Sequence, residues 1–297
     1  MERGAPGMGH PVRRRTALTF GLAGLATAGM GLTSDTSIKT QNVDPVPFGN
    51  LPNVSLERVH SQARNREIDL ITIFPEGVPV EELPVCLVLH GRFGDARNAA
   101  AGMPSWLTSA VNSGATPPFA FLSVDGGSNT YWHRVEGDDP MWMLIDEVPR
   151  WLAERGFGGK DGQPFAVCGI STGGFGALVY TRRRNEHNIP LDATAVVSPA
   201  LVTDWEIMRK RRAFANEADW ADLDPLRHVD ELDDVPLGVW CGTEDRFVTG
   251  ARRFVDLANP EVASITPGGH NSRFYRKALP EAVHFVGGKL PATDESS

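Results

Sequence analysis

Seven short apolar runs follow one another along the chain and limit the folds open to it. Runs of this kind are typical of strands that are buried on both faces of a sheet. They cover residues 66–74, 85–90, 119–126, 165–171, 193–199, 237–245 and 262–267. Helical periodicity separates some of them, at 141–156, 174–184 and, more weakly, 250–258. This alternation predicts an α/β fold with a mostly parallel central sheet that is flanked by helices on both faces.

Composition supports one core and argues against several classes of partner. The 297 residues are 41% hydrophobic, which is enough apolar material for one domain. The formal net charge of -8 supplies no positive field for a polyanion, so no nucleic-acid partner is expected. Cys86, Cys168 and Cys241 lie inside apolar runs without CxxC spacing. They are predicted to be small buried side chains and not a disulfide or zinc framework.

The first 34 residues form a segment of a different character. Arg13, Arg14 and Arg15 precede an uncharged stretch that runs over residues 16–34. This pattern is typical of an export signal of the twin-arginine type, although Ala17 stands where that motif usually has Phe. The stretch is close to the ~20 residues that span a bilayer, so an uncleaved anchor with membrane association remains an alternative. The expected location is the cell envelope or the extracellular space.

The rest of the chain is divided by composition. Residues 35–64 are polar, contain three prolines and lack a sustained period, so they are predicted to be a linker or an irregular segment. The folded domain is expected over 65–290, with a disordered tail at 291–297. Residues 202–235 are densely charged and separate two candidate strands. In an open α/β sheet, such an insertion lies above the carboxyl ends of the strands, where ligands bind. It is therefore interpreted as a cap over a site or, alternatively, as a solvated helical excursion.

A lone serine stands between glycines at the end of the run 165–171. Residues 169–173 form the pattern G-x-S-x-G, and a helical pattern follows at once. This is the strand, turn and helix context of a nucleophile elbow. The glycines permit the sharp turn, and the amino terminus of the following helix favours negative charge beside the serine. Ser171 is therefore a candidate nucleophile.

A serine hydroxyl needs a histidine to take its proton and a carboxylate to orient that histidine. Asp245 follows the run that begins at 237, and His270 lies on a glycine turn after the last run. Each is in a loop at the carboxyl end of a candidate strand, in the chain order serine, acid, histidine. Glu244 is the alternative acid, but the spacing from Gly242 favours Asp245.

The developing oxyanion also needs hydrogen-bond donors. The backbone N–H of Thr172, the residue after the serine, is one candidate. The second is the backbone N–H of Arg92, because Gly91 permits close approach in the loop that follows the run 85–90. His90 is interpreted as a structural residue that hydrogen-bonds within this loop.

Several blocks together resemble the esterase D-like branch of the α/β-hydrolases, which includes the mycobacterial antigen 85 mycolyltransferases. The resemblance covers roughly residues 65–287. The blocks that carry it are VCLVLHGRFGDARNAA, VDGGSNTYWH, CGISTGGFGAL, VVSPAL, CGTEDRF and GGHNSRFYRKALPEAVHF. It implies an α/β-hydrolase fold with a triad of Ser171, Asp245 and His270, and with Arg92 and Thr172 as oxyanion donors.

The same resemblance implies a set of substrate contacts and a reaction. The candidate contacts are Gly91, Tyr131, Trp132 and His133. The expected function is an exported serine esterase that hydrolyses small-molecule or lipid carboxylic esters through an acyl-enzyme. The alternatives are an acyltransferase that uses an envelope sugar or lipid as acceptor, and a non-catalytic envelope-binding protein with this fold. Neither a cofactor nor a metal is expected, because HExxH, GxxxxGK[ST] and a strand-linked GxGxxG do not occur.

Overall fold

The fold is built on an eight-stranded sheet in the part of the chain that the structure describes. The structure is a computed structural model, and it describes residues 51–159, 161–232 and 234–290. The strands follow the order β1-β2-β4-β3-β5-β6-β7-β8 across the sheet. Their bounds are β1 Val54–Ser61, β2 Arg66–Ile73, β3 Val85–Leu89, β4 Ala120–Val124, β5 Ala166–Ile170, β6 Ala193–Val197, β7 Leu237–Gly242 and β8 Val262–Thr266.

The sheet is mostly parallel, as predicted. Strands β3 to β8 pair in parallel, whereas β2 pairs in antiparallel fashion with both β1 and β4. Every residue of β3 to β7 is buried. This explains why these strands are continuous apolar runs in the sequence, because each is covered on both faces.

Helices cover the two faces of the sheet. Their bounds are α1 Ala96–Ala100, α2 Met103–Asn112, α3 Pro140–Trp142, α4 Val148–Glu154, α5 Thr172–Glu186, α6 Trp205–Met208, α7 Glu217–Leu223, α8 Val248–Ala258 and α9 Ser272–Gly287. Apolar residues of α1, α2 and α9 pack in one core cluster, and those of α4, α5, α7 and α8 pack in another. The prediction of helices on both faces is thereby confirmed.

One predicted boundary is wrong. Strand β1 lies within the segment 35–64 that the sequence analysis assigned to a linker, so the fold begins at least eleven residues before the predicted start at 65. The sequence signal is weak because β1 is an edge strand that pairs only with β2. One of its faces is solvated, so polar residues interrupt its apolar ones.

Two of the predictions concern the ends of the chain. The predicted signal or anchor at 1–34 and the predicted tail at 291–297 lie outside the described residues. None of the helices in the described ranges has the length and apolar content of a membrane span. Cys86, Cys168 and Cys241 are buried, as expected, and each carries a free thiol.

A buried carboxylate fastens the β1–β2 hairpin to the helical layer. The predicted helix at 141–156 consists of α3, a π-helical turn over Met143–Glu147, and α4. The turn ends at Glu147, which is 4% exposed. Its carboxylate accepts hydrogen bonds from Ser61 Oγ and from the backbone N–H groups of Gln62 and Ala63. These three donors belong to the end of β1 and the turn that follows it.

Replacement of this carboxylate is expected to loosen the hairpin. We predict that Glu147→Ala lowers the free energy of unfolding by about 2 to 4 kcal/mol, because three donors lose a charged acceptor. Urea unfolding measured by circular dichroism gives the change. The matched control is Glu154→Ala on α4, whose side chain is 69% exposed and lies 3.8 Å from Arg155; it is expected to cost about 0.5 kcal/mol or less. Equal losses in the two variants would contradict the anchoring role of Glu147.

Candidate active site

Ser171 occupies a strained turn between β5 and α5. Its backbone has φ +57° and ψ -116°, outside the regions that residues with a Cβ ordinarily adopt. Hydrogen bonds on both sides hold this conformation: the Ser171 N–H donates to the Val197 carbonyl at 3.0 Å, and the Ser171 carbonyl accepts from the Ala200 N–H at 2.8 Å. A Cβ at Gly173 would overlap the Leu89 carbonyl oxygen, so glycine is required where the turn meets the end of β3.

Asp245 and His270 reach the serine from the ends of β7 and β8. The Ser171 Oγ lies 2.9 Å from His270 Nε2, and His270 Nδ1 lies 2.8 Å from Asp245 Oδ2. A Cβ at Gly242 would overlap the Gly268 carbonyl oxygen, and this close approach sets the separation of the two loops. The structure thus brings the three predicted side chains together in one hydrogen-bonded chain. Glu244, the alternative acid, is exposed.

The protonation states follow from burial and from the hydrogen bonds. Burial lowers the pKa of His270, and the positive charges of Arg246 and Arg211 lower it further, against the opposing effect of Asp245. Burial alone would raise the pKa of Asp245, but the hydrogen bond and charge of His270 and the Phe247 N–H outweigh it and lower the pKa. At neutral pH the site therefore holds a carboxylate and a neutral imidazole.

The tautomer is assigned from the partners of the ring. A carboxylate only accepts, so Nδ1–H donates to Asp245 and Nε2 accepts from the Ser171 hydroxyl. Because folding lowers the pKa of His270, the unfolded chain binds more protons between the folded value and 6.5. The contribution of the neutral imidazole to stability is thus complete above pH 6.5 and is lost as the pH falls through the folded value.

Two backbone amides beside the serine are available as donors. The N–H groups of Arg92 and Thr172 have no acceptor among the described residues. A Cβ built on Gly91 would lie 3.2 Å from Ser171 Cβ, which places the loop that carries Arg92 directly against the serine. His90 fixes this loop: its Nδ1–H donates to the Gly91 carbonyl and its Nε2 accepts from the Gly126 N–H, both at 2.8 Å. Burial lowers the pKa of His90, which keeps Nε2 free to accept.

The three aromatic candidates for substrate contact are all buried. Trp132 Nε1–H donates to the His90 carbonyl at 3.1 Å, and His133 Nε2–H donates to the Ala213 carbonyl at 2.8 Å. Their polar atoms are therefore used by the protein, and the structure favours a supporting position for these two side chains over the expected substrate contact. The hydroxyl of Tyr131 has no hydrogen-bond partner among the described residues. Substrate contact by Tyr131 stays a prediction.

Part of the insertion 202–235 lies against the loops of the site. The Arg211 carbonyl accepts from Arg92 Nη2 at 3.1 Å and from Asn129 Nδ2 at 3.0 Å, and the Ala213 carbonyl accepts from His133. The segment is thus attached beside the serine through its backbone. Whether it acts as a cap stays a prediction.

Two aromatic residues that the sequence analysis did not single out flank the imidazole. The Phe247 ring centroid lies 5.0 Å from that of His270, and the Tyr275 ring lies 5.6 Å away on a T-shaped contact. Both rings limit the access of water to His270 and restrict its orientation. Within the described ranges, no group of three or more His, Cys, Asp or Glu side chains is placed to hold a metal ion.

The titration of His270 tests this electrostatic environment. We predict that its imidazole titrates below 6.5 in the native protein and at a still lower pH in Asp245→Asn, because that change removes the negative charge that raises the pKa. Proton and carbon NMR of the ring gives both values. Asp222→Asn, which changes an exposed carboxylate on α7, is the matched control and should leave the titration of His270 unaltered. A rise in the Asp245→Asn protein would contradict the assignment.

Solved structures share the fold. A ferulic acid esterase matches with a TM-score of 0.66 and 19% identity over 80% of this chain and 98% of the other. An S-formylglutathione hydrolase from Agrobacterium tumefaciens matches with a TM-score of 0.62 and 14% identity, over 80% and 95% of the two chains. FphF, a fluorophosphonate-binding serine hydrolase of Staphylococcus aureus, matches with a TM-score of 0.58 and 16% identity, over 78% of this chain and 97% of the other. Identities this low show the fold alone.

The family assignment comes from the sequence. No curated protein matches it. The model of the family described as "Putative esterase" matches residues 61–286, which is most of the chain and includes all three residues of the hydrogen-bonded chain. The resemblance to α/β-hydrolase esterases that the sequence motifs indicate is thereby confirmed. The chain belongs to this esterase family and has the α/β-hydrolase fold.

Proposed function

We propose that the protein hydrolyses carboxylic esters with Ser171 as its nucleophile and an acyl-enzyme as its intermediate. The observation that carries the proposal is the continuous chain from Ser171 Oγ through His270 to Asp245, with contacts of 2.9 and 2.8 Å. A serine hydroxyl in such contact with a neutral, buried imidazole is activated for attack. Membership of the esterase family supports the ester as the bond that is cleaved.

Acylation starts from the neutral imidazole. Ser171 Oγ attacks the ester carbonyl carbon while its proton passes to His270 Nε2, and Asp245 stabilises the imidazolium that forms. The carbonyl oxygen becomes an oxyanion, which accepts hydrogen bonds from the N–H groups of Arg92 and Thr172. Collapse of this intermediate breaks the bond to the alcohol oxygen, which leaves with the proton from His270.

Deacylation repeats the sequence with water. Water gives its proton to His270 Nε2 as its oxygen attacks the acyl carbon, and the same two amides bind the second oxyanion. The bond to Ser171 Oγ then breaks, and His270 returns the proton to the serine. An alcohol in place of water would give acyl transfer to an envelope sugar or lipid, and no observation favours that outcome over hydrolysis.

Removal of the hydroxyl tests the nucleophile. We predict that Ser171→Ala lowers kcat for 4-nitrophenyl butyrate by about 10⁴-fold to 10⁶-fold, because attack and proton transfer are lost together. Release of 4-nitrophenol gives the rate. Ser109→Ala, which removes an exposed hydroxyl on α2, is the matched control and is expected to retain the native rate.

A covalent probe separates the alternatives in the same experiment. A fluorophosphonate should add one label at Ser171, found by mass spectrometry of the peptides, and none in Ser171→Ala. An unlabelled native protein with no esterase activity would instead indicate a non-catalytic binding protein. Product analysis with trehalose or a long-chain alcohol present separates hydrolysis, which gives the free acid, from transfer, which gives a new ester.

We also propose that residues 1–34 direct export through the twin-arginine pathway. Arg14 and Arg15 before the uncharged stretch support this proposal. Replacement of both by Lys should retain the protein in the cytoplasm of a host with that pathway, as measured by immunoblots of cell fractions. Arg58→Lys on β1 is the control. Equal export of the two variants would contradict the proposal, and the membrane and released fractions distinguish an anchor from a cleaved signal.

A further inference from the structure

Three arginines converge on the active site. They are Arg92, Arg211 and Arg246. Arg92 Nη2 donates to the Arg211 carbonyl at 3.1 Å, so Arg92 and Arg211 lie on contacting segments. The guanidinium carbons of Arg211 and Arg246 lie 4.6 and 5.6 Å from the centroid of the Phe247 ring. That ring lies 5.0 Å from the imidazole of His270. The guanidinium groups of Arg211 and Arg246 therefore lie against the same ring that packs on the imidazole of His270, the proposed general base.

None of these three side chains has a carboxylate partner among the described residues, which holds for ten of the twenty described arginines. Arg64, for comparison, pairs with Asp138 at 2.7 Å. Arg92 bonds only to uncharged acceptors, the Asn129 Oδ1 at 2.6 Å and the Arg211 carbonyl. The Nε of Arg211 is buried and has no acceptor within the described ranges. The guanidinium groups thus retain unused donors.

Tyr131 adds a neutral donor to the same place. It is 1% exposed, and its hydroxyl is the unpartnered one described above. Burial raises the pKa of this hydroxyl, although the charges of Arg211, Arg92 and Arg246, and the nearby Arg211 guanidinium as a weak hydrogen-bond donor, act against the rise. The hydroxyl therefore stays protonated at neutral pH. All three arginines are near enough to this phenol for their charges to act on its pKa.

The three positive charges disfavour one another. Burial lowers the pKa of Arg92, and the charges of Arg211 and Arg246 lower it again, because like charges disfavour one another. The chain as a whole has a net charge of -8 and 37 acidic residues, yet none of the described ones neutralises this group. Uncompensated like charge beside a catalytic group is a feature of binding sites, and not of structural ion pairs.

We propose that Arg92, Arg211 and Arg246 bind a carboxylate carried by the substrate. The enzyme would then act on acidic esters, which contain one ester bond and a separate ionised carboxylate. This inference rests on the proposed function and deepens it. Guanidinium groups recognise carboxylates through paired N–H donors, and the Tyr131 hydroxyl supplies a further hydrogen bond. The carboxylate can belong to the acyl part or to the alcohol part of the ester, and the two parts are tested separately.

The test compares each acidic ester with its neutral amide counterpart. The mono(4-nitrophenyl) ester of suberic acid and that of suberamic acid probe the acyl part. The butyrate esters of 4-hydroxybenzoic acid and of 4-hydroxybenzamide probe the alcohol part. In at least one pair, we expect kcat/KM of the acid to exceed that of the amide by about tenfold or more, mainly because the KM of the acid is lower. Added salt is expected to reduce this ratio of acid to amide.

The ratio of acid to amide is then measured in Arg211→Gln and Arg246→Gln. Each change should reduce the ratio several-fold, whereas Arg150→Gln, which removes an exposed charge paired with Asp146, should not. Rates are taken at pH 8, where His270 is neutral in every variant, so that its titration does not enter. Arg246 is exposed, so its replacement tests the idea even if Arg211→Gln folds poorly.

Direct binding keeps the two proposals apart. Calorimetry of Ser171→Ala with both pairs of esters should show tighter binding of the acid in at least one pair. A protein that binds the acid selectively but hydrolyses neither ester contradicts only the proposed function. A protein that hydrolyses and binds both members of each pair equally, or whose ratio is unaltered in the Arg211 and Arg246 variants, contradicts only the acidic-ester inference.

Discussion

The site depends on how closely backbone segments approach one another at the carboxyl edge of the sheet. At Gly173 the turn after β5 meets the end of β3, and at Gly242 the loop after β7 meets the turn at Gly268, with no room for a Cβ in either place. Parallel strands end at the same edge, which is why residues distant in sequence become neighbours there. The hydrogen-bonded chain at Ser171 is a result of these approaches, because short side chains can meet only when their backbones are close.

The sequence predicts the parts of the fold that burial controls strongly. The buried strands are continuous apolar runs, and the loops at their ends carry Ser171, Asp245 and His270, so both the strands and the pairing of these side chains are accessible from the pattern. Strand β1 is not, because its solvated face breaks the apolar run. The roles of Trp132 and His133 cannot be predicted from the pattern either. An aromatic side chain that supports a site and one that contacts the substrate look the same in the sequence of a loop.

The charges of the site also show what local sequence cannot supply. Residues 209–212 have the composition of an exposed charge run, yet Arg211 lies half-buried over Phe247 and next to Arg92. Only the attachment of the insertion to the loops of the sheet brings these arginines together. The charges of Arg211 and Arg246 act with burial to keep His270 neutral, so these two residues influence the base as well as the proposed site for a carboxylate.

The attachment of the insertion 202–235 has an evolutionary consequence. Its fastening points at positions 211 and 213 are main-chain carbonyl oxygens, which every amino acid possesses. Exposed side chains along this segment can change without removing these hydrogen bonds, whereas its buried side chains, such as Met208 and Trp220, pack in the core. Exposed positions of the segment can therefore vary beside the site while Ser171, His270 and Asp245 keep their contacts.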